Sequence, residues 1–374
     1  MTTLGTDVDG AIRRLSTEYE VRGLPFSLSS VDDPAVSQGN IVNQVQFEYN
    51  PFGQLVTDYQ SHDGAVNTST TPKVQYAYAD GSANTVRPTA LVYPNGRTLT
   101  YGYGTSGGPD DRASRIHAII DDDPGSTHLA EYEYLGLGTP VVIDYTEPQI
   151  RYTLVGTAGG DDPDTGDIYR GLDRFGRVKD SYWYNYDTSA DVDRINYGYD
   201  RAGNHLWREN TVATALNKDF DELYAYDGLH RLKNMHRGRL NAQKTELTTT
   251  TFAQCWTLDE TGNWRGFRED DVGDGTWDLV QQRTANKVNE ITGISETTGP
   301  VWTDPAYDQA GNMTTIPRPA DPTASYVAIY DAWRRLVSLS EDGNIIAEYS
   351  YDPRRYSAIM LPSSESETSR LHAS

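Results

Sequence analysis

One phrase returns along this chain: an aromatic residue or Leu, then Asp or Asn, two free positions, usually Gly, and a polar residue. It stands at Tyr49, Leu172, Tyr199, Tyr226, Leu258, Tyr307, Tyr330 and Tyr351. Each position has a physical reason. The aromatic closes an incoming strand. The Asp or Asn side chain accepts backbone N–H bonds two or more residues on. The Gly (Gly53, Gly176, Gly203, Gly262, Gly311) supplies the positive φ that a type I turn followed by a bulge requires. The phrase is therefore a β-hairpin turn. The pattern assigns structural turn roles to Asp173, Gly176, Asp200, Gly203, Asp227, Asp259, Gly262, Asp308, Gly311, Asp331 and Asp352.

His230, Arg334 and Arg355 stand where three units lack the Gly. A left-handed conformation costs a non-Gly residue about 1 kcal/mol, so those turns are expected to be looser or differently built. "YPNGRTLTYGYG" (93–104) reads as a related, shortened turn. "EYEYLGLGTPV" (131–141) keeps the alternating aromatics and loses the Asp.

The spacing is that of an array. Leu172, Tyr199 and Tyr226 follow one another at 27 residues, Tyr307 and Tyr330 at 23, Tyr330 and Tyr351 at 21. Hairpins whose far-end loops differ in length give this drift. No segment carries a capped i, i+3, i+4 apolar pattern, so the chain is expected to be nearly all-β.

Composition supports half-wet sheets over a thick core. The mean hydropathy is -0.65, and 26 Tyr outnumber 7 Phe and 7 Trp. Tyr buries a ring while its hydroxyl keeps a partner. The net charge of -22 repels phosphate backbones and disfavours nucleic acid as a partner. No apolar run approaches the ~20 residues of a membrane span, and no signal peptide is visible at the start. The single cysteine, Cys255, excludes an internal disulfide framework and reads as a small buried hydrophobe in a strand.

Taken together, "LDRFGRV", "YGYDRAGNHL" and "TANKVNEI" resemble the YD repeat of RHS-repeat proteins, over about residues 8 to 356. The resemblance implies hairpins side by side in a curved or spiralling β-sheet, part of an RHS-type shell that encloses a cargo or displays a surface at the cell envelope. It implies a non-catalytic, cell-surface or secreted role. Expected partners are other segments of a larger shell, or further copies joined through unpaired sheet edges.

The domain reading is a continuous array over 1–356 that starts mid-repeat, "DVDGAIRRLSTEYEVRGLPFSL" (7–28) lacking its opening Tyr, and a polar, disordered tail over 357–374. The family's end-of-core segment, with aspartates for self-cleavage and a following toxin, is absent. Neither property is carried over.

Other chemistry competes with this reading. "GYGTSGGP" (102–109) fits a dinucleotide fingerprint through Gly102, Gly104 and Gly107, and a nucleophile elbow through Gly104, Ser106 and Gly108. Both require a helix directly afterwards. A serine hydrolase around Ser106, with His62 and Asp80, is the remote alternative to a glycine-rich loop. The sequence calls for no cofactor. Calcium has candidate ligands at Asp270, Asp274 and Asp278, although Val272 and Gln281 stand where further carboxylates belong. The acidic loops at 121–125 and 159–167 are solvated turns or loose calcium sites. Exposed Tyr and Trp make a carbohydrate- or wall-polymer-binding module the second functional reading, against inter-strand packing of the same rings.

Overall fold

A computed structural model describes residues 8–80, 86–155 and 171–354, and the backbone of 357–362. The loop at 159–167 and the position of Arg355 lie outside the described residues. Twenty strands, from Arg14–Tyr19 to Ile291–Thr298, form one sheet in which each strand pairs antiparallel with the next in sequence. The only helices among the described residues are Pro109–Ala113 and Thr211–Ala215. The all-β hairpin array expected from the repeat is the observed fold.

A second sheet of seven strands follows, from Ala306–Tyr307 through Asn344–Tyr351 to Ser357–Pro362. Residues 299–305 interrupt the ladder between the two sheets, which the repeat pattern read as continuous. Strand Ser357–Pro362 carries the pairing past the point where the tyrosine–aspartate pattern stops. The seventh strand comes from the other end of the chain, Val8–Asp9 lying parallel to Tyr330–Asp331.

Successive hairpins return the chain to the same side of the sheet, so the repeat turns share one edge. The loops between hairpins, such as 32–40 and 241–246, lie on the opposite edge. Side chains two residues apart share a face. Tyr182 and Tyr184, Tyr132 and Tyr134, and Phe47 and Tyr49 accordingly pack as pairs, with centroids 5.9, 6.4 and 6.4 Å apart.

The apolar core is thin and local. Met235, Trp256, Phe267 and Leu279 form one cluster, with Trp302 of the interrupting segment packed against it; Val141, Leu154 and Leu172 form another. Elsewhere among the described residues the buried set mixes apolar side chains, such as Val45, Tyr59 and Ile195, with polar ones, including Gln281, Asp221, Ser27 and Ser30. Cys255, expected to be buried, is half-exposed, with its sulfur 4.0 Å from Arg268 Nη2.

The strip curves back on itself. Twenty strands at a spacing of about 4.8 Å extend about 95 Å. Yet Arg354 Nη1 lies 2.7 Å from Asp58 Oδ2, 296 residues away, and Asn43 Nδ2 donates to the Tyr351 carbonyl at 2.9 Å. Closure thus comes from this seam; among the described residues no ladder joins Arg14–Tyr19 to Ile291–Thr298. The circuit is about 100 Å round, far more than the eight strands whose side chains fill a barrel.

Candidate functional site: the stitched turn edge

The repeat turns are closed by one pair of backbone bonds. The residue at the Asp position donates to the carbonyl four residues on, and its own carbonyl accepts from the residue three on. Glu20, Asn50, Tyr93, Asp173, Asp200, Asp227, Asp259, Asn286, Asp308 and Asp331 all do this. A register shift falls at the preceding aromatic or Leu, as at Gly198/Tyr199 and Thr257/Leu258. The turn is type I with a bulge, and Gly176, Gly203, Gly262 and Gly311 stand at φ 75, 93, 94 and 83°.

Three expectations change. His230 and Arg334 take φ 61 and 63° and keep the same turn, with backbone bonds of 3.1 and 3.0 Å. Those turns are not looser. The first hairpin does have its aromatic, Tyr19, with Glu20 in the Asp position. The turn at 93–97 is not shortened; it has Tyr93 in the Asp position and lies on the opposite edge.

The Asp side chain does more than bend the chain. Asp200 Oδ1 accepts from Ala202 N and Asn204 N at 2.8 and 2.9 Å, and Oδ2 accepts from Asn204 Nδ2 at 2.7 Å. Asp259 and Asp308 repeat this with Asn263 and Asn312. Asp173, Asp227 and Asp331 use Arg177, Arg231 and Arg335, whose Nε atoms donate at 2.7, 2.7 and 2.6 Å. Asp352 pairs with Arg354 Nε at 2.8 Å.

These partners also join each turn to the next. Arg177 Nη1 donates to the Asp200 carbonyl at 3.0 Å, and its guanidinium lies 4.5 Å from the Tyr199 ring centre. Arg231 Nη1 donates to the Asp259 carbonyl at 2.7 Å, and Asn263 Nδ2 to Asn289 Oδ1 at 3.0 Å. A hydrogen bond of 2.9 Å links Asn204 Nδ2 to His230 Nδ1.

A second stitch belongs to the tyrosines, and the repeat pattern alone did not reveal it. Tyr49, Tyr78, Tyr199, Tyr330 and Tyr351 donate their hydroxyls to the carbonyls of Pro25, Leu55, Val178, Met313 and Leu336. Each acceptor opens the return strand of the preceding hairpin. Where the preceding aromatic or Leu is identified, the acceptor lies six residues beyond it. The signal was present as this fixed offset between neighbouring units. Tyr199→Phe should lower stability by about 1 kcal/mol, one net hydrogen bond. It should also speed amide exchange at the turn Asp200–Asn204, which hydrogen-exchange mass spectrometry can read.

The turn carboxylates are tuned by these bonds. Asn263 and Thr261, with their amides, hold Asp259 down at about 2. Asn204 lowers Asp200, and the Arg231 amide and side chain lower Asp227. In Asp173 and Asp308 burial pushes upward, but Arg177 and Asn312 with the turn amides win. A folded-state pKa below the unfolded one stabilises above the unfolded value, and that stability is lost as pH falls through the folded value. Denaturant titrations should therefore show resistance to unfolding falling from about pH 4 towards pH 2. Asp58 has the opposite sign, since burial outweighs Arg354 and raises it.

The calcium candidates lie on the opposite edge and are occupied by the loop itself. Asp270 Oδ1 accepts from Gly273 N at 2.6 Å and Oδ2 from Gly275 N at 2.8 Å. Asp274 accepts from Thr276 N and Asp278 from Asp271 N, each at 2.8 Å. Among the described residues no three His, Cys, Asp or Glu converge as metal ligands.

The glycine-rich loop leads into the five-residue helix Pro109–Ala113, with Gly108 as its N-cap. Ser106 is exposed, and no hydrogen bond among the described residues joins it to a histidine. His117, rather than His62, faces the loop, with Nδ1 3.4 Å from Asp110 Oδ2.

An open groove of about 690 Å³ lies beside the turn edge, lined by Asp180, Arg194, Asn196, Tyr197, Gly198 and Trp207 among others. Gly198 explains the odd residue in "NYGYD". A Cβ there would stand 2.1 Å from Trp207 Nε1, so the indole lies flat on bare backbone. Gly198→Ala should displace Trp207, shift its fluorescence and cost about 1–3 kcal/mol.

No protein-family model matches the chain, nor does any curated protein. Among solved structures it is similar to TcdB2-TccC3 without the hypervariable C-terminal region, with TM-score 0.50 and 11% identity over 92% of this chain and 20% of that chain. TcdB2-TccC3-Cdc42 gives 0.49 and 11% over 90% and 18%. The Photorhabdus luminescens Tc holotoxin pore with mutation TccC3-D651A gives 0.42 and 10% over 95% and 24%. The fold is that of an RHS-like β-shell. The chain spans about a fifth of the length of the first two of these structures, and at such identity the likeness is one of fold. No helix among the described residues is long and apolar enough to cross a membrane.

Proposed function

We propose that this chain is a non-catalytic wall segment of an RHS-repeat (YD-repeat) protein, whose hairpins partly enclose a volume that holds a cargo or presents a surface at the cell envelope. The observation that carries the reading is the seam: residues about 300 apart meet while the strands within each of the two sheets stay paired and stitched. A wall needs continuity along the strip and stiffness at its edge. The tyrosine and aspartate stitches supply both without any reacting group. Among the described residues the outer strands Arg14–Tyr19 and Ile291–Thr298 have no ladder partner on their outer side, although Asp304 already accepts from Ile294 N, and further hairpins of a longer shell would pair there.

Small-angle X-ray scattering tests this reading. A curved wall should have a radius of gyration clearly above the roughly 21 Å of a compact chain of this length. A compact value would remove the enclosed volume and the reading with it.

The groove favours a second reading, binding of a neutral saccharide. Its indole and phenol faces could stack on a sugar ring while Asn196, Asp180 and Arg194 meet hydroxyls. A glycan array settles it: binding lost in Trp207→Ala supports the reading, and an array without retention removes it.

A further inference from the structure

Between the turns Asp259–Asn263 and Asn286–Glu290 the sheet opens. The last rung joining Trp264–Asp270 to Leu279–Ala285 is Gly266 with Gln282, and beyond it the two strands part towards the turn edge. The opening is a cleft of about 430 Å³, within the roughly 300–1,000 Å³ of small-ligand sites. Arg265, Arg283 and Lys287 line it against one carboxylate, Asp259, in a chain whose net charge is -22. Asp259 is spent on its own turn, through Thr261 and Asn263.

Arg283 decides what the cleft takes. Its Nε and Nη2 donate to Gln281 Oε1 at 3.1 and 2.6 Å, a neutral acceptor on a wholly buried residue. Arg177, Arg194, Arg231 and Arg335 each reach a carboxylate within 2.7 Å. Among the described residues Arg283 reaches none. Burial holds it below the usual guanidinium value, and Glu296, too far to pair, pushes the other way. A half-buried cation without a counter-ion is costly, and an anion brought to it relieves that cost. Beside the charge lies a ring. Trp264, stacked on Phe267 at 5.5 Å and with its centre 5.0 Å from the Arg283 guanidinium, is 41% exposed.

Charge and ring together select the ligand. Glu260 and Glu290 belong to the same two turns and disfavour a polyphosphate. A pyranose bearing one carboxylate fits, its ring lying on the indole and its carboxylate meeting the guanidinium fork. We infer that this cleft binds a uronic-acid residue of an acidic saccharide. The inference rests on neither the wall nor the groove beside Trp207, and its test separates it from both.

Equilibrium dialysis of the full chain against trigalacturonate at about 0.05 M NaCl provides that test. Binding should saturate and should weaken at about 0.5 M NaCl. The neutral maltotriose should bind about tenfold more weakly, as should trigalacturonate to Arg283→Gln and to Trp264→Ala. Trp207→Ala should bind like the parent. If Arg283→Gln loses its β spectrum, Arg265→Gln with Lys287→Gln, both exposed, decides: weaker binding supports the inference and unchanged binding overturns it. Absence of saturable binding, equal affinity for maltotriose, displacement by acetate as effective as by trigalacturonate itself, or a folded Arg283→Gln protein that binds like the parent would overturn it.

Discussion

Arg354→Ala should destabilise the fold by about 3–5 kcal/mol, the cost of leaving a buried charge without its partner. Arg354 reaches two carboxylates at once, Asp352 at 2.8 Å and Asp58 at 2.7 Å, and both acids are only 5% exposed. Removing the guanidinium leaves both facing the gap, and Asp58 Oδ1 already lacks a hydrogen-bond partner. Tyr76 and Tyr49 stand close enough to feel the Asp58 charge and carry no cation to replace it. The loss should be local at first: hydrogen exchange should rise in Asn344–Tyr351 and Leu55–Ser61 before the middle of the sheet. Asp58→Leu combined with Arg354→Leu should cost less than Arg354→Ala, since the double change removes the Asp58 carboxylate together with its guanidinium partner. Urea unfolding of the three proteins checks the order. An Arg354→Ala protein as stable as the parent would show that the seam contributes nothing to closure.

Asp331→Ala should cost a similar 3–5 kcal/mol. Its pair with Arg335 is the most enclosed ion pair among the described residues, the side chains being 2 and 7% exposed. The carboxylate also accepts from Trp333 N and Arg335 N, at 2.8 and 3.0 Å. Arg335 in turn lies 4.8 Å from the Tyr351 ring centre and donates to the Asp352 carbonyl at 3.3 Å. Without Asp331 the guanidinium remains buried beside the Trp333 and Tyr351 rings and one carbonyl. Asp200→Ala at the equivalent exposed turn should cost far less, because Asn204 is neutral and water can replace the carboxylate. Thermal melts of the two variants test the contrast. Equal losses would mean that burial at the seam adds nothing to the turn.

The turns were legible because their information is local. An aspartate or asparagine and a glycine three residues on specify two backbone bonds within five residues, and those appear where the phrase occurs. The same locality explains the misses. Glu20 and Tyr93 occupy the Asp position without being Asp, so two turns with the identical backbone read as a hairpin without its opening Tyr and as a shortened turn. His230 and Arg334 keep the left-handed conformation because the surrounding bonds hold it there. The tyrosine stitch was half visible: a hydroxyl needing a partner was expected, while its acceptor on the preceding hairpin depends on register. Asn43, Asp58 and Arg354 carried no sequence signal. Their meeting depends on curvature summed over more than twenty strands, a sum that no short window contains.

The seam is reached directly by a distance measurement. With Cys255→Ser in place, spin labels at Asp63 and Ser350 report the gap between the first hairpins and the second sheet. The stitched, curved wall requires a separation below about 25 Å, within a few strand spacings. A strip that failed to return would hold the labels about 100 Å apart at the same strand spacing, and that result would contradict the account.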